Sequence, residues 1–204
     1  SHKLLFFILR FGECSQITVD SFFKKLQLNI WFRTNSWKFA SYGGSRYTKS
    51  NLNSQNAKKL KLKWVFAYPS ASRARSQPSI SGNTIFVGGQ NLYLYALDRE
   101  TGCVRWRTKV DGEIRSAPAI YFSEKGNFLF AGDYEGNVYK INPYNGEKIW
   151  VKSLRYHPRV ILTGSLRVDK DVVYVPLSSR EWADGADPEY QCCSFRGGIM
   201  ALSV

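Results

Sequence analysis

YALDRETGCVRW, residues 95–106, recurs as YKINPYNGEKIW at residues 139–150, and a shift of 44 residues superimposes the two without a gap. The shift pairs Tyr95 with Tyr139, Leu97 with Ile141, Asp98 with Asn142, Gly102 with Gly146 and Trp106 with Trp150. Self-similarity at such a period marks a repeat architecture in which each unit buries its apolar face only against its neighbours. Within each copy, apolar residues at alternate positions predict a short strand, then a tight turn, then a second strand carrying the Trp. Asp98 and Asn142 can hydrogen-bond the turn backbone, while Gly102 and Gly146 supply the left-handed conformation that other residues resist. The Trp is expected to pack between neighbouring units.

Working outward, RSQPSISGNTIFVGG (75–89) and RSAPAIYFSEKGNFLFAG (115–132) also correspond, which adds two strands to each unit. Trp64, in LKLKWVF, precedes Trp106 by 42 residues. Four strands in 42–44 residues is the size of a propeller blade, whereas ankyrin, TPR and leucine-rich repeats are shorter and mostly helical. A third unit follows in outline as LTGSLRV (162–168), DVVYVP (171–176) and GGIMALSV (197–204), interrupted by an insertion at 179–196. The expectation is an all-β chain, a β-propeller fragment of about three four-stranded blades. Its parts are a basic segment or leader at 1–36, an opening segment at 37–66, and blades at about 67–110, 111–154 and 155–204. A fourth strand of the last blade, with its Trp, is expected beyond Val204. Ser1 in place of Met and a strand-like run at Val204 are expected of a piece of a longer reading frame, and three blades alone leave open faces that a closed ring would cover.

Composition agrees with a packed β protein, with 44% hydrophobic, 22% charged and 15% aromatic residues, including six Trp and twelve Tyr. The net charge of +13 is unevenly placed. Residues 1–75 carry 14 Lys and Arg against two Asp and Glu, whereas residues 76–204 carry 15 against 14. A groove for phosphates needs its charge on the folded face, so the neutral repeat region argues against nucleic acid as a partner. Phe22, Phe23, Lys24, Lys25, Trp31 and Arg33 leave open, for residues 1–36, a membrane-surface segment or a translated leader. Lys3 and the run Leu4–Leu9 are short for a signal peptide, and no apolar stretch approaches the roughly 20 residues of a membrane span. His2 and His157 make no metal pair, and Gly-x-Ser-x-Gly, a phosphate loop and C-x-x-C-H are all absent, which removes hydrolase, nucleotide and haem-attachment readings.

The fixed positions of ALDRETGCVRW (96–106) make it resemble the tryptophan-docking motif A-x-D-x-x-T-G-x-x-x-W of pyrroloquinoline-quinone (PQQ) propellers. The second copy departs from it at Lys140, Asn142 and Asn145. WKFASYGGSRYTKSN (37–51) with NAKKLKLKWVF (56–66), RARSQPSISG (73–82) and YQCCSFRGGIMAL (190–202) are similar to quinoprotein alcohol dehydrogenases, in particular the polyvinyl-alcohol dehydrogenase-like branch. The resemblance covers residues 37–204. It implies an eight-bladed parent, exported or periplasmic, that oxidises a small or polymeric alcohol with PQQ and calcium and passes electrons to a cytochrome c-type acceptor. Some propellers of this kind bind no quinone, so a cofactor-free scaffold for protein partners at the cell envelope is the rival reading.

On the same resemblance, Arg75, Arg115 and Arg196 are candidates to bind the quinone carboxylates, since guanidinium groups bind oxygens in pairs. Arg75 and Arg115 stand at equivalent places at the start of successive innermost strands, and Thr163 takes the corresponding place in the third unit. Cys192 and Cys193 are the candidates for a vicinal disulfide lying flat against the quinone; two reduced thiols, or pairing with Cys103 or Cys14, remain open from the residues themselves. Glu181 is the candidate calcium ligand, with Asp184, Asp187 and Glu189 expected to be solvated in the same loop. The family's catalytic Asp comes from a later blade and has no match here.

Overall fold

Apolar residues at successive positions of Leu94–Leu97 can be buried together only if both faces of their strand are covered. That is the situation in the structure, a computed structural model that describes residues 53–204. Expectations placed on residues 1–36, on Cys14 and on the opening run before residue 53 fall outside the described residues.

Three antiparallel sheets follow one another along the chain. The first is β1 (Ser79–Ser81), β2 (Thr84–Gly88), β3 (Tyr93–Asp98) and β4 (Val104–Lys109), each strand pairing with the next. The second is β5 (Ala119–Ser123), β6 (Gly126–Gly132), β7 (Asn137–Ile141) and β8 (Lys148–Ser153) in the same order. The repeat extends to irregularities: a register shift falls at Ala96/Leu97 in one sheet and at Lys140/Ile141, 44 residues on, in the other. The hairpin β5–β6 is longer than β1–β2 by two residues on each strand, which accounts for the Ser79-to-Ala119 offset of only 40.

The pleat sorts the core into layers. Leu94 and Ala96 face the second sheet and pack with Leu129, Ala131, Tyr139 and Ile141, while Tyr95 and Leu97 face the other way, towards Trp64, Phe66 and Tyr68. Phe130 and Val138 of the second sheet point to the third, meeting Leu162, Val173 and Val175. Side chains at neighbouring positions of one strand therefore belong to different layers, as the two-residue period of a strand requires.

The indoles join the layers as expected. Trp64 Nε1 donates to Arg99 O at 2.9 Å and Trp106 Nε1 donates to Pro143 O at 3.1 Å, the two acceptors being 44 residues apart. Each ring lies against the glycine of the turn it reaches: a Cβ on Gly102 would come 2.7 Å from Trp64, and one on Gly146 2.6 Å from Trp106. The motif departures in the second copy preserve this turn. Asp98 Oδ1 accepts Glu100 N and Asn142 Oδ1 accepts Tyr144 N, both at 2.9 Å. Thr101 Oγ1 accepts Cys103 N at 3.3 Å, and Asn145 Oδ1 accepts Glu147 N at 3.0 Å. Lys140, where the first copy has Ala96, lays its ammonium 3.7 Å from the centre of the Phe128 ring, and burial pushes its pKa down.

The third sheet differs. Its strands β9 (Val160–Ile161), β10 (Arg167–Asp169), β11 (Val172–Ser179) and β12 (Gly198–Ser203) do not form a simple meander, because β11 pairs with β10, β12 and, at its far end, β9. Of the expected strand 162–168 only the end from Arg167 is extended and paired; Leu162 and Leu166 fill the core from a loop. The insertion opens with a single helical turn, α1 (Glu181–Asp184). Among the described residues no helix is long and apolar enough to cross a membrane.

Gly146 has φ of +78° and no room for a Cβ, so Gly146→Ala combines a left-handed strain with a collision against Trp106. The substitution is expected to lower stability by about 1–3 kcal/mol, read as a shifted denaturant midpoint followed by Trp fluorescence. Gly198→Ala, at a position with open space around the missing Cβ, is the control and should stay within about 0.5 kcal/mol of the parent.

Candidate cofactor site and the cysteine turn

Arg75 and Arg115 each lie four residues before the first strand of their sheet, just outside the strands in which they were expected. Stacking of the two sheets brings them together on a residue that sequence reasoning missed. Arg115 binds Glu113 Oε2 through Nε and a terminal nitrogen, both at 2.8 Å, and Arg75 reaches the same oxygen at 3.8 Å. The Arg115 guanidinium also lies 3.7 Å over the Tyr134 ring, whose residue fixes Glu113 from behind by donating its N–H to Glu113 O at 2.8 Å. One carboxylate thus serves two guanidiniums. Glu113 Oε1 is buried without a hydrogen-bond partner, so this edge holds guanidinium N–H groups beyond those that Glu113 engages and one acceptor in need of a donor.

The remaining candidates gather around the insertion. Cys192 and Cys193 are bonded to each other, across a cis peptide bond. Glu181, only 3% exposed, faces this turn. Its Oε1 accepts Ser194 N at 2.8 Å, Tyr190 OH at 2.9 Å and Ser194 Oγ at 3.1 Å; its Oε2 accepts Phe195 N at 3.1 Å and Ser179 Oγ at 3.2 Å. Burial alone would push this carboxyl up, but the donors from Ser194, Tyr190 and Phe195 outweigh it and hold the pKa at about 2. The reciprocal effect raises the Tyr190 phenol. Arg196 turns its guanidinium back onto its own loop, donating to Cys193 O at 2.8 Å and Phe195 O at 2.9 Å. Thr163 Oγ1 meets Ser178 Oγ at 3.3 Å, one residue before the Ser179 that touches Glu181. The structure therefore places the candidates in two clusters, Arg75 with Arg115 and Cys192, Cys193, Arg196 with Glu181, and no hydrogen bond or ion pair among the described residues joins the two.

The second cluster has a further wall. Tyr156 stacks on Phe195 at 6.1 Å between ring centres, His157 meets the same ring edge-on at 5.6 Å, and Tyr156 OH donates to Arg196 O at 3.1 Å. Arg159 pairs with Asp184 at 3.1 Å. Asp184, expected to be solvated, is instead part of the attachment of α1.

Comparison with known proteins fits this architecture. The PQQ_2 family model, described as outer membrane protein assembly factor BamB, matches residues 37–188. The chain belongs to the PQQ_2 propeller family. A polyvinylalcohol dehydrogenase of Sphingopyxis sp. is 31% identical over 174 residues, 83% of this chain and 26% of that protein. Among solved structures, the quinohemoprotein alcohol dehydrogenase of Comamonas testosteroni superimposes with a TM-score of 0.57 at 17% identity, over 76% of this chain and 23% of the other. A europium-containing methanol dehydrogenase gives 0.54 at 19%, over 76% and 27%. At such identities the superpositions speak for the fold, and they agree with a PQQ_2 chain of three blade-like sheets. The chain spans about a quarter of the length of the curated relatives it matches.

Glu181 has a lowered pKa in the folded chain, so its contribution to stability is present above its ordinary value of 4.5 and is lost as pH falls towards about 2. Charged and titratable neighbours on the packed elements are Tyr190, Asp184, His157, Arg159 and Arg196. Parent and Glu181→Gln proteins should differ in unfolding midpoint at pH 5 and above and converge near pH 2, a window that chemical denaturation at stepped pH would resolve.

Proposed function

We propose that this chain forms blades of an eight-bladed PQQ-dependent alcohol oxidoreductase and supplies part of the wall that holds the quinone. The observation that carries the reading is the Arg75–Arg115 pair converging on one carboxylate, inside a propeller whose relatives include a polyvinylalcohol dehydrogenase. PQQ carries three carboxylates on a flat ring system with a ring N–H. The guanidinium N–H groups that Glu113 does not engage fit the first feature, and the orphaned Glu113 Oε1 fits the second. When bound, PQQ supplies the two-electron acceptor for oxidation of an alcohol.

In this assignment Arg75 and Arg115 bind and orient carboxylate oxygens, and Thr163 offers a hydroxyl from the loop between β9 and β10. Cys192 and Cys193 present a compact surface for the ring face. Arg196 spends its donors on Cys193 O and Phe195 O, so its part is to shape that surface from behind. The described residues do not fit a calcium ion: both Glu181 oxygens are filled by protein donors, and no group of three or more His, Cys, Asp or Glu could hold a metal among them. A disulfide in the chain supports an oxidising, exported location, and a cytochrome c-type acceptor and a small or polymeric alcohol complete the reading.

The test is reconstitution of the protein that carries these blades with PQQ, with and without added calcium, followed by dye-linked alcohol oxidation. Turnover is the expected result. Failure to quench Trp fluorescence on PQQ addition, together with no turnover, would favour the cofactor-free scaffold suggested by the assembly-factor description of the family. Arg115→Ala should weaken PQQ binding about tenfold or more, since it removes a charge-assisted pair, and Arg75→Ala, being more exposed and farther from Glu113, should cost less.

A further inference from the structure

A carboxylate buried beside the cysteine turn invites assignment as a ligand site, yet the Glu181 contacts run towards the protein. Two consecutive residues after the disulfide, Ser194 and Phe195, both give their N–H to Glu181. On the opposite side, the carbonyls of Cys193 and Phe195 both accept from Arg196. The peptide unit between Cys193 and Ser194 is therefore held at its oxygen by a cation and at its nitrogen by an anion. Phe195 is held in the same way at its two ends. Charge-assisted hydrogen bonds are the stronger kind, and four of them on three residues leave the main chain little freedom to rotate.

The anion is itself set by a relay. Arg159 N donates to His157 Nδ1 at 3.1 Å, which makes that nitrogen the acceptor and puts the ring proton on Nε2. Nε2 lies 2.9 Å from Ser194 Oγ, whose own proton is then directed to Glu181 Oε1 at 3.1 Å. The direction of every bond follows from the first one. His157 sits on the connection between the second and third sheets, so the relay ties the cysteine turn to the propeller frame and not only to its own insertion.

We infer that Glu181 is a positioning residue that fixes the Cys192–Cys193 turn, clamped against Arg196 and oriented through Ser194 and His157, and that it is not a metal ligand. Glu181 plays this role whether or not a quinone binds.

Glu181→Gln keeps the shape of the side chain and replaces one acceptor by a donor that would face N–H or O–H groups. Hydrogen exchange of the Ser194 and Phe195 amides in the chain should quicken about tenfold or more, and reduction of the Cys192–Cys193 bond by a phosphine, read by thiol alkylation and mass spectrometry, should quicken with it. Exchange in the second sheet, β5 to β8, should stay unchanged, which separates loss of this clamp from general destabilisation. Ser194→Ala removes the hydroxyl link to His157 while keeping the amide, and should give a smaller change of the same kind. Unchanged exchange and reduction in Glu181→Gln would overturn the role. Should that variant fail to fold, the parent chain still decides: terbium or calcium that binds saturably and alters exchange at Ser194 and Phe195 would make Glu181 a metal ligand and overturn the inference, and exchange indifferent to both ions supports it.

Discussion

Docking of an indole from one unit onto the glycine turn of the next, Trp64 from the segment before β1 and Trp106 from β4, is the contact on which the rest of this chain is organised. The ring needs a flat, side-chain-free seat, which only glycine gives, and the indole N–H needs an acceptor, which the turn supplies through Arg99 O and Pro143 O. Because donor and seat lie on different units, no sheet can complete the contact alone. Once two sheets are locked in this way, their inner edges come into step. Ser76 Oγ donates to Ser116 O at 2.8 Å, and Ser79 Oγ donates to Pro118 O, joining equivalent segments of successive units. The arginine one residue before each of Ser76 and Ser116 is thereby carried to the same place, and the Arg75–Arg115 pair is a consequence of the stacking at the outer strands.

The two candidate clusters solve opposite electrostatic problems. At the inner edge Arg75 and Arg115 share the one oxygen Glu113 Oε2, which leaves guanidinium N–H groups that Glu113 does not engage. In the cysteine turn, Glu181 and Arg196 meet main-chain groups of the opposite sense, so charge is spent on holding backbone. Burial of a carboxylate is costly unless its hydrogen bonds are complete, and the five groups around Glu181 complete them. The two sites are therefore distinguishable by what is left unpaired: Glu113 Oε1 is an orphan, and neither oxygen of Glu181 is.

The propeller repeat was legible because its physical requirements are local in sequence: alternation, an Asx turn, a glycine and a Trp at fixed offsets. Asn142 and Asn145 depart from the motif, and the structure shows the turn bonds surviving them, since what is preserved is an oxygen at the right position and not a residue type. The third sheet was less legible. LTGSLRV has strand-like content, but the Leu162–Leu166 segment packs into the core without pairing along most of its length. Of the site, the arginine pair and the vicinal bond could be anticipated, and Glu113 could not from the motif alone. A signal did exist: at the aligned position of the first copy, 40 residues earlier, stands Arg73, so the sign of charge changes between repeats. His157 and Ser194 carried no such mark, because their importance comes from a contact across 37 residues.

The irregular third sheet and the cysteine turn have a common cause in the length of β11. At eight residues it outruns β10, and its free end, Ser178 and Ser179, pairs with β9. That pairing places Val160 and Ile161 beside the point where the insertion leaves the sheet, and Arg180 N donates to Arg159 O at 3.0 Å across the junction. The connection that enters the third sheet and the insertion that leaves β11 are thus one structural unit, further tied by Tyr156 to Arg196 and by Arg159 to Asp184. An insertion anchored only at its two ends would be free to move as a loop. This one is also held by the connection that leads the chain from the second sheet to the third, so displacement of the disulfide requires opening the contacts of Tyr156 with Arg196 and of Arg159 with Asp184.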